Sequence, residues 1–148
     1  MGVTSQEQIN IHDIEEAQTE QVREYLDSPK NVEIMLDYDG EGEISASSKA
    51  WRATLWIYVK VRNGKIWKAS WFATTMGGLI SAYGSALTEM VKGKTIQQAL
   101  AIQPKDISGA LGLPETGFGA WFKRGLVEAI NNYNAYKLSP WKRTYEPR

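Results

Sequence analysis

Residues 52–62 alternate with a strict period of two, and no other feature of this 148-residue chain constrains its fold as tightly. One face of the run reads Ala53, Leu55, Ile57, Val59 and Val61, and the other reads Thr54, Trp56, Tyr58, Lys60 and Arg62. Successive side chains of a strand point to opposite faces, so the pattern specifies a β-strand with one face turned to a core. Asn63-Gly64 follows. That pair accepts the left-handed backbone of a tight hairpin turn, which makes Lys65–Thr75 the returning partner strand. A third strand near Glu43–Ser47 completes a small antiparallel sheet.

Elsewhere the period is helical. Ile9, Ile11, Ile14, Val22 and Leu26 form a broken apolar stripe among acidic residues, which predicts a helix over about 5–27 that ends at Ser28-Pro29. Asp37–Glu43 reads as a polar, glycine-bearing loop. It lacks the spacing and the late glutamate of an EF-hand calcium site. After Gly77-Gly78 a helix is expected over Leu79–Val91, closed by Lys92-Gly93-Lys94. Thr95 caps a short helix over Ile96–Ile102, and Pro104 opens another through about Leu111. The last helix is expected over about Ala120–Lys137. The order predicts an α+β domain with helices packed on one face of the sheet. The domain occupies residues 1–138 and a basic tail residues 139–148.

Composition narrows the chemistry. The chain has no cysteine and a single histidine, His12. Thiolate catalysis, disulfides, cysteine-held clusters and multi-histidine metal sites are therefore excluded. No serine-hydrolase or phosphate-loop motif is present, so no catalytic residue, metal site or cofactor is expected. No apolar run is long enough to span a bilayer, and the polar, acidic amino terminus does not read as a signal peptide, so the expected location is cytoplasmic. Net charge is zero but unevenly spread: residues 1–45 hold 12 acidic and 2 basic residues, leaving 5 and 15 for the remainder. Such a split signals either two halves that neutralise each other or an acidic arm beside a basic binding face. Rings and cations interleave along the hairpin (Trp56, Tyr58, Lys60, Arg62, Lys65, Trp67, Lys68, Trp71). Single-strand nucleic-acid binders share that pattern with sheets whose lysines and arginines cover aromatic surface.

Several motifs together resemble the iron–sulfur cluster assembly scaffold family (IscU, or the NifU amino-terminal domain). Leu87-Thr88-Glu89-Met90-Val91-Lys92-Gly93-Lys94-Thr95, with Ala99-Leu100-Ala101-Ile102 after it, is similar to the family's Thr-Glu-X-Val-Lys-Gly-Lys-(Ser/Thr) stretch and the helix that follows. Tyr25-Leu26-Asp27-Ser28-Pro29-Lys30-Asn31-Val32 resembles its Tyr-X-X-Pro-(Arg/Lys)-Asn-Val segment. Asp106-Ile107 and Leu113-Pro114 fall where the family has an Asp-Ile pair and a Leu-Pro-Pro segment. The resemblance spans roughly Val22 to Lys137 and implies the scaffold fold.

It also implies where cluster ligands would stand. The family's first cysteine falls on Trp51, its aspartate on Ala53, its second cysteine on Gly77 and its His-Cys pair on Trp121-Phe122. None of these side chains donates to a metal. The family's chaperone-recognition segment reads Leu113-Pro114-Glu115-Thr116-Gly117, without the second proline or the lysine. Trp51, Ala53, Gly77, Trp121 and Phe122 are thus expected to converge as former ligand positions, either as an interaction patch or as a plug that extends the core. Arg52, Gly78, Leu113, Pro114 and Lys123 are the accompanying candidate partner contacts. The Gly77-Gly78 amides open a helix and could hold an anion, though a tight turn is the favoured explanation. The function expected is that of a cluster-free, non-catalytic interaction or accessory subunit. The alternatives are cluster assembly with non-cysteine or partner-supplied ligands, and binding of a small ligand or nucleic acid through the aromatic and basic surface. A protein partner is favoured, a homo-oligomer is open, nucleic acid is the least favoured and no membrane is involved.

Overall fold

A computed structural model describes residues 19–47 and 52–138. Its elements run α1 (Glu20–Asp27), β1 (Gly40–Ser47), β2 (Arg52–Arg62), β3 (Lys65–Ala73), α2 (Gly78–Val91), α3 (Ile96–Leu100), α4 (Pro104–Ala110) and α5 (Phe118–Leu138). The three strands form one antiparallel sheet in sequence order, as the alternation predicts. The stretch of the expected first helix before residue 19, Trp51, His12 and the basic tail all lie outside the described residues.

Ala53, Leu55, Ile57 and Val59 of β2, with Ile66, Ala69, Trp71 and Ala73 of β3, face the helices and are buried. α5 lies along β1 and β2, and α2 lies over β3. Two glycines let α5 approach the sheet. A Cβ on Gly40 would stand 2.2 Å from the Ala129 carbonyl oxygen, and one on Gly42 would stand 2.1 Å from that of Gly125. These residues therefore belong to β1, and the polar loop expected over 37–43 is half strand. Glycine here serves close backbone packing rather than a turn. A third glycine serves the same purpose in α2, where a Cβ on Gly84 would come 2.3 Å from the Trp71 ring.

The other sheet face carries a smaller cluster. The chain between α1 and β1 bridges the β3 edge at Val32–Trp71, then crosses the face so that Met35 and Tyr38 pack on Tyr58. Asn31 starts this crossing in a left-handed conformation (φ 61°), which asparagine tolerates better than most residues. Its amide donates to Thr88 Oγ1 at 2.9 Å and Glu89 Oε2 at 2.8 Å, while Lys92 Nζ donates to its Oδ1 at 2.7 Å. The Asn31, Glu89 and Lys92 motif residues are thus a staple that fastens the entering chain to α2.

Candidate functional site

The start of β2, the end of β3 and the first turns of α2 and α5 meet at one end of the domain. Thr54 and Thr74 exchange bonds there: Thr54 N donates to Thr74 Oγ1 at 2.9 Å, and Thr74 N donates to Thr54 O at 3.0 Å. The Tyr83 ring of α2 stacks on Phe118 of α5, with centroids 5.5 Å apart. Trp121 Nε1 donates to Ile44 O of β1 at 3.0 Å. These four element ends are thus brought together, while the loop that carries Trp51 lies outside the described residues.

What they enclose is a packed interior. Trp121 and Phe122 are fully buried, and their rings stand edge to face with centroids 5.2 Å apart. Phe122 also contacts Trp71 at 6.5 Å and Tyr83 at 6.0 Å, and Phe118 closes the group against Trp121 at 6.0 Å. Ala53 is 1% exposed and faces the same core. Ala53, Trp121 and Phe122 thus have no surface to offer a partner, and of the two readings left open for them the burial fits the plug and not the patch. The reason is geometric. Positions 121 and 122 lie on the inward side of α5's first turns, where apolar rings gain most from leaving water. Gly77 alone of the four described ligand positions is exposed. It adopts φ 95°, and a Cβ there would meet nothing within 4 Å. Its amide donates to Ser81 Oγ at 3.0 Å, so the turn is internally satisfied.

A polar chain, buried at Tyr83, Ser108 and Thr116 and ending on the exposed Glu115, adjoins the plug. Tyr83 Oη sits 2.6 Å from Ser108 Oγ and 2.8 Å from Thr116 Oγ1. Ser108 Oγ donates to Glu115 Oε1 at 2.8 Å. The same carboxylate accepts from Thr116 N at 3.0 Å, and its Oε2 accepts from Ala120 N at 3.1 Å. Glu115 stands where the resembled family has its second proline, and here it satisfies orphan amides at the α5 N-terminus, where negative charge is favoured. Sequence reasoning missed this role. The signal available was an acid shortly before a helix start.

The candidate partner contacts divide. Arg52, Gly78 and Pro114 are exposed, and Leu113 is half-buried against the core. Lys123 is committed internally: its ammonium donates to Leu100 O at 2.7 Å and also to Ile102 O, closing the end of α3. Burial pulls the Lys123 ammonium below its ordinary range, with Asp106 opposing. Among the described residues no group of three or more histidine, cysteine, aspartate and glutamate side chains is arranged to hold a metal ion. Nor is any described helix long and apolar enough to cross a membrane.

The nucleic-acid-like hairpin pattern also resolves. Trp71 is fully buried and Tyr58 nearly so. Trp56 packs on Phe72 and donates through Nε1 to Glu43 Oε1 at 3.1 Å. Of the hairpin rings, Trp67 alone is exposed, at 41%.

A family model described as the NifU-like N-terminal domain matches residues 17–138. The chain belongs to this family. Similar proteins include the nitrogen fixation protein NifU of Trichormus azollae, 35% identical over 131 residues that cover 82% of this chain and 43% of the relative. The iron–sulfur cluster assembly scaffold protein IscU of Aquifex aeolicus is 37% identical over 93 residues, covering 63% of this chain and 59% of the relative. This chain therefore spans less than half the length of the first of these and under two thirds of the second. A solved structure from Fervidobacterium islandicum, described as an iron–sulfur cluster assembly scaffold protein for the SUF system, shares the fold. Its TM-score is 0.51 at 18% identity, with 85% of each chain covered. The family is one of iron–sulfur assembly scaffolds, and this member is without cysteine. Iron–sulfur clusters are typically held by cysteine thiolates, and this chain has none to offer.

Proposed function

We propose that this protein is a cluster-free member of the scaffold family that acts as an interaction or accessory subunit of a larger protein assembly in the cytoplasm. One observation carries the reading. The positions aligned with cluster ligands hold side chains without metal donors, and at two of them, Trp121 and Phe122, the rings are packed into the core. Substitution alone would leave an empty ligand pocket that a partner's ligands could complete. Filling the pocket with interlocked rings removes the space itself, which argues against a scaffold completed by borrowed ligands. What remains is a stable domain whose exposed surface is free for recognition.

Two measurements test this. Anaerobic reconstitution with ferrous iron and sulfide is expected to leave the protein colourless after desalting. Retention of stoichiometric iron and sulfide would end the reading. Native mass spectrometry of the protein isolated anaerobically from its own source is expected to show this chain together with another subunit. A bare chain without partners in that preparation would count equally against it.

A further inference from the structure

The end of the domain opposite the plugged site carries a different chemistry. β2 and β3 meet there at Asn63-Gly64, roughly 30 Å along the strand from Ala53. The ladder slips at this end, since Lys60 pairs with Lys68 but Val61 pairs with Ile66. The bulge has a definite effect on side chains. Ile66 and Ala69 both remain buried although three residues apart, and Trp67 and Lys68 are turned together toward the helix-free face. Bulges re-aim side chains in this way. Arg62 places its guanidinium carbon 4.4 Å from the Trp67 ring centroid, and Lys60 its ammonium 5.4 Å away.

The turn after α2 adds to the cluster. Ile66 N donates to Lys94 O at 2.8 Å, and Lys65 bridges Thr95, which sets Lys94 beside the start of β3. Among the described residues Lys60 pairs with Asp37, Lys68 with Glu33 and Lys92 with Glu89. Arg62, Lys65 and Lys94 enter none of these pairs. The result is an exposed tryptophan held against a guanidinium and flanked by cations that have no ion pair among the described residues. Tryptophan and arginine are the residues that most often anchor interfaces, and a ring-stacked guanidinium keeps its fork ordered for a carboxylate.

Resting on the accessory-subunit reading, we infer that this β2–β3 tip is the docking surface for an acidic segment of a partner protein, with Trp67 as the apolar anchor and Arg62, Lys65 and Lys94 receiving its carboxylates. Nucleic acid fits the same charge but not the rings. Stacking along a single strand needs a row of open aromatic faces. Here Tyr58 and Trp71 are covered, Trp56 is half-buried against Phe72, and the guanidinium of Arg62 already lies against the Trp67 ring, so no row of open rings remains.

The test uses the full chain with a fluorescein-labelled 14-residue peptide of aspartate and glutamate carrying two leucines, and labelled dT14 of similar charge, followed by anisotropy. Saturable binding of the peptide is expected, weakened at least tenfold by Arg62→Glu, by Lys65→Glu and by Trp67→Ser. Lys105→Glu, the same charge change at an exposed site on α4, is expected to leave it unchanged. Equal weakening by Lys105→Glu, tighter binding of dT14 than of the peptide, no binding of the peptide, or self-association of the chain that Trp67→Ser abolishes would each overturn the assignment. Native mass spectrometry then separates this inference from the reading beneath it. A native complex that survives Trp67→Ser and Arg62→Glu refutes the docking surface and leaves the accessory role standing. A wild-type chain found alone refutes the accessory role.

Discussion

Trp121 does two jobs that substitution can separate. Its ring fills the space between β1 and the first turns of α5, and its indole N–H satisfies the Ile44 carbonyl in the interior. Trp121→Phe keeps most of the ring and removes one hydrogen bond to that carbonyl, which is expected to cost about 0.5–1.5 kcal/mol. Trp121→Ala removes both and is expected to cost about 3–5 kcal/mol. Urea unfolding followed by circular dichroism distinguishes the two, and a near-neutral Trp121→Ala would mean that the plug is not part of the core. The same residue marks a limit of sequence reading. A donor-free residue at a ligand position is legible in the chain, whereas plug and patch are not, because both are written Trp-Phe. They differ only in which side of α5 meets the sheet, and that is decided by elements some 70 residues away. Gly40 and Gly42 are opaque for a related reason: a glycine reads as a turn until the helix that presses on it is placed.

At the scale of elements the alternation of β2, the Asn63-Gly64 turn and the Thr95 cap were legible, because each rests on neighbours in sequence, whereas Thr19, which caps α1 at Glu20 inside the helix expected over 5–27, was not. Asn63 and Gly64 do take positive φ, at 54° and 75°, and Thr95 does form a capping box with Gln98. Contacts between elements were not legible, and they govern the next two expectations. Gly42→Ala drives a methyl group against the Gly125 carbonyl and should push α5 off β1, at a cost of about 1–3 kcal/mol or more. Gly109→Ala, in α4 where the space is open, should instead stabilise by roughly 0.5–1 kcal/mol. Thermal unfolding of the pair checks the opposite signs. The staple between the entering chain and α2 should respond to pH. Hydrogen bonds from Asn31 and then Lys92 hold the Glu89 carboxyl below its ordinary range, outweighing its partial burial. Its contribution is therefore fully present above the ordinary glutamate value of about 4.3 and is lost as pH falls through the lowered folded value. Glu89→Gln should flatten that part of the acid limb in urea midpoints measured from pH 6 to pH 3. An acid limb identical to that of the wild type would remove the staple from the account.

For the whole molecule, the cluster-free reading proposed above can rest on loss of ligands or on closure of the site. Restoring the donors, as Trp51→Cys, Ala53→Asp, Gly77→Cys and Phe122→Cys together, tests one against the other. If ligand loss were the whole difference, the variant would regain a cluster. The fold argues otherwise. Position 77 is exposed, so a thiol there should react with a disulfide reagent in the native protein, although its φ of 95° strains any side chain. Position 122 lies between Trp71 and Tyr83, so a thiol there should react only as the protein unfolds. Phe122→Cys also opens a cavity, and Ala53→Asp puts a carboxylate in the apolar core, where an unpaired charge is costly. The expected product is destabilised by several kcal/mol and holds iron well below one equivalent after anaerobic reconstitution. The single variants Gly77→Cys and Phe122→Cys supply the labelling rates, and iron and sulfide analysis supplies the rest. A stoichiometric cluster in the fourfold variant would show that the ring plug can reopen, leaving four side chains as the whole distance between this protein and a scaffold.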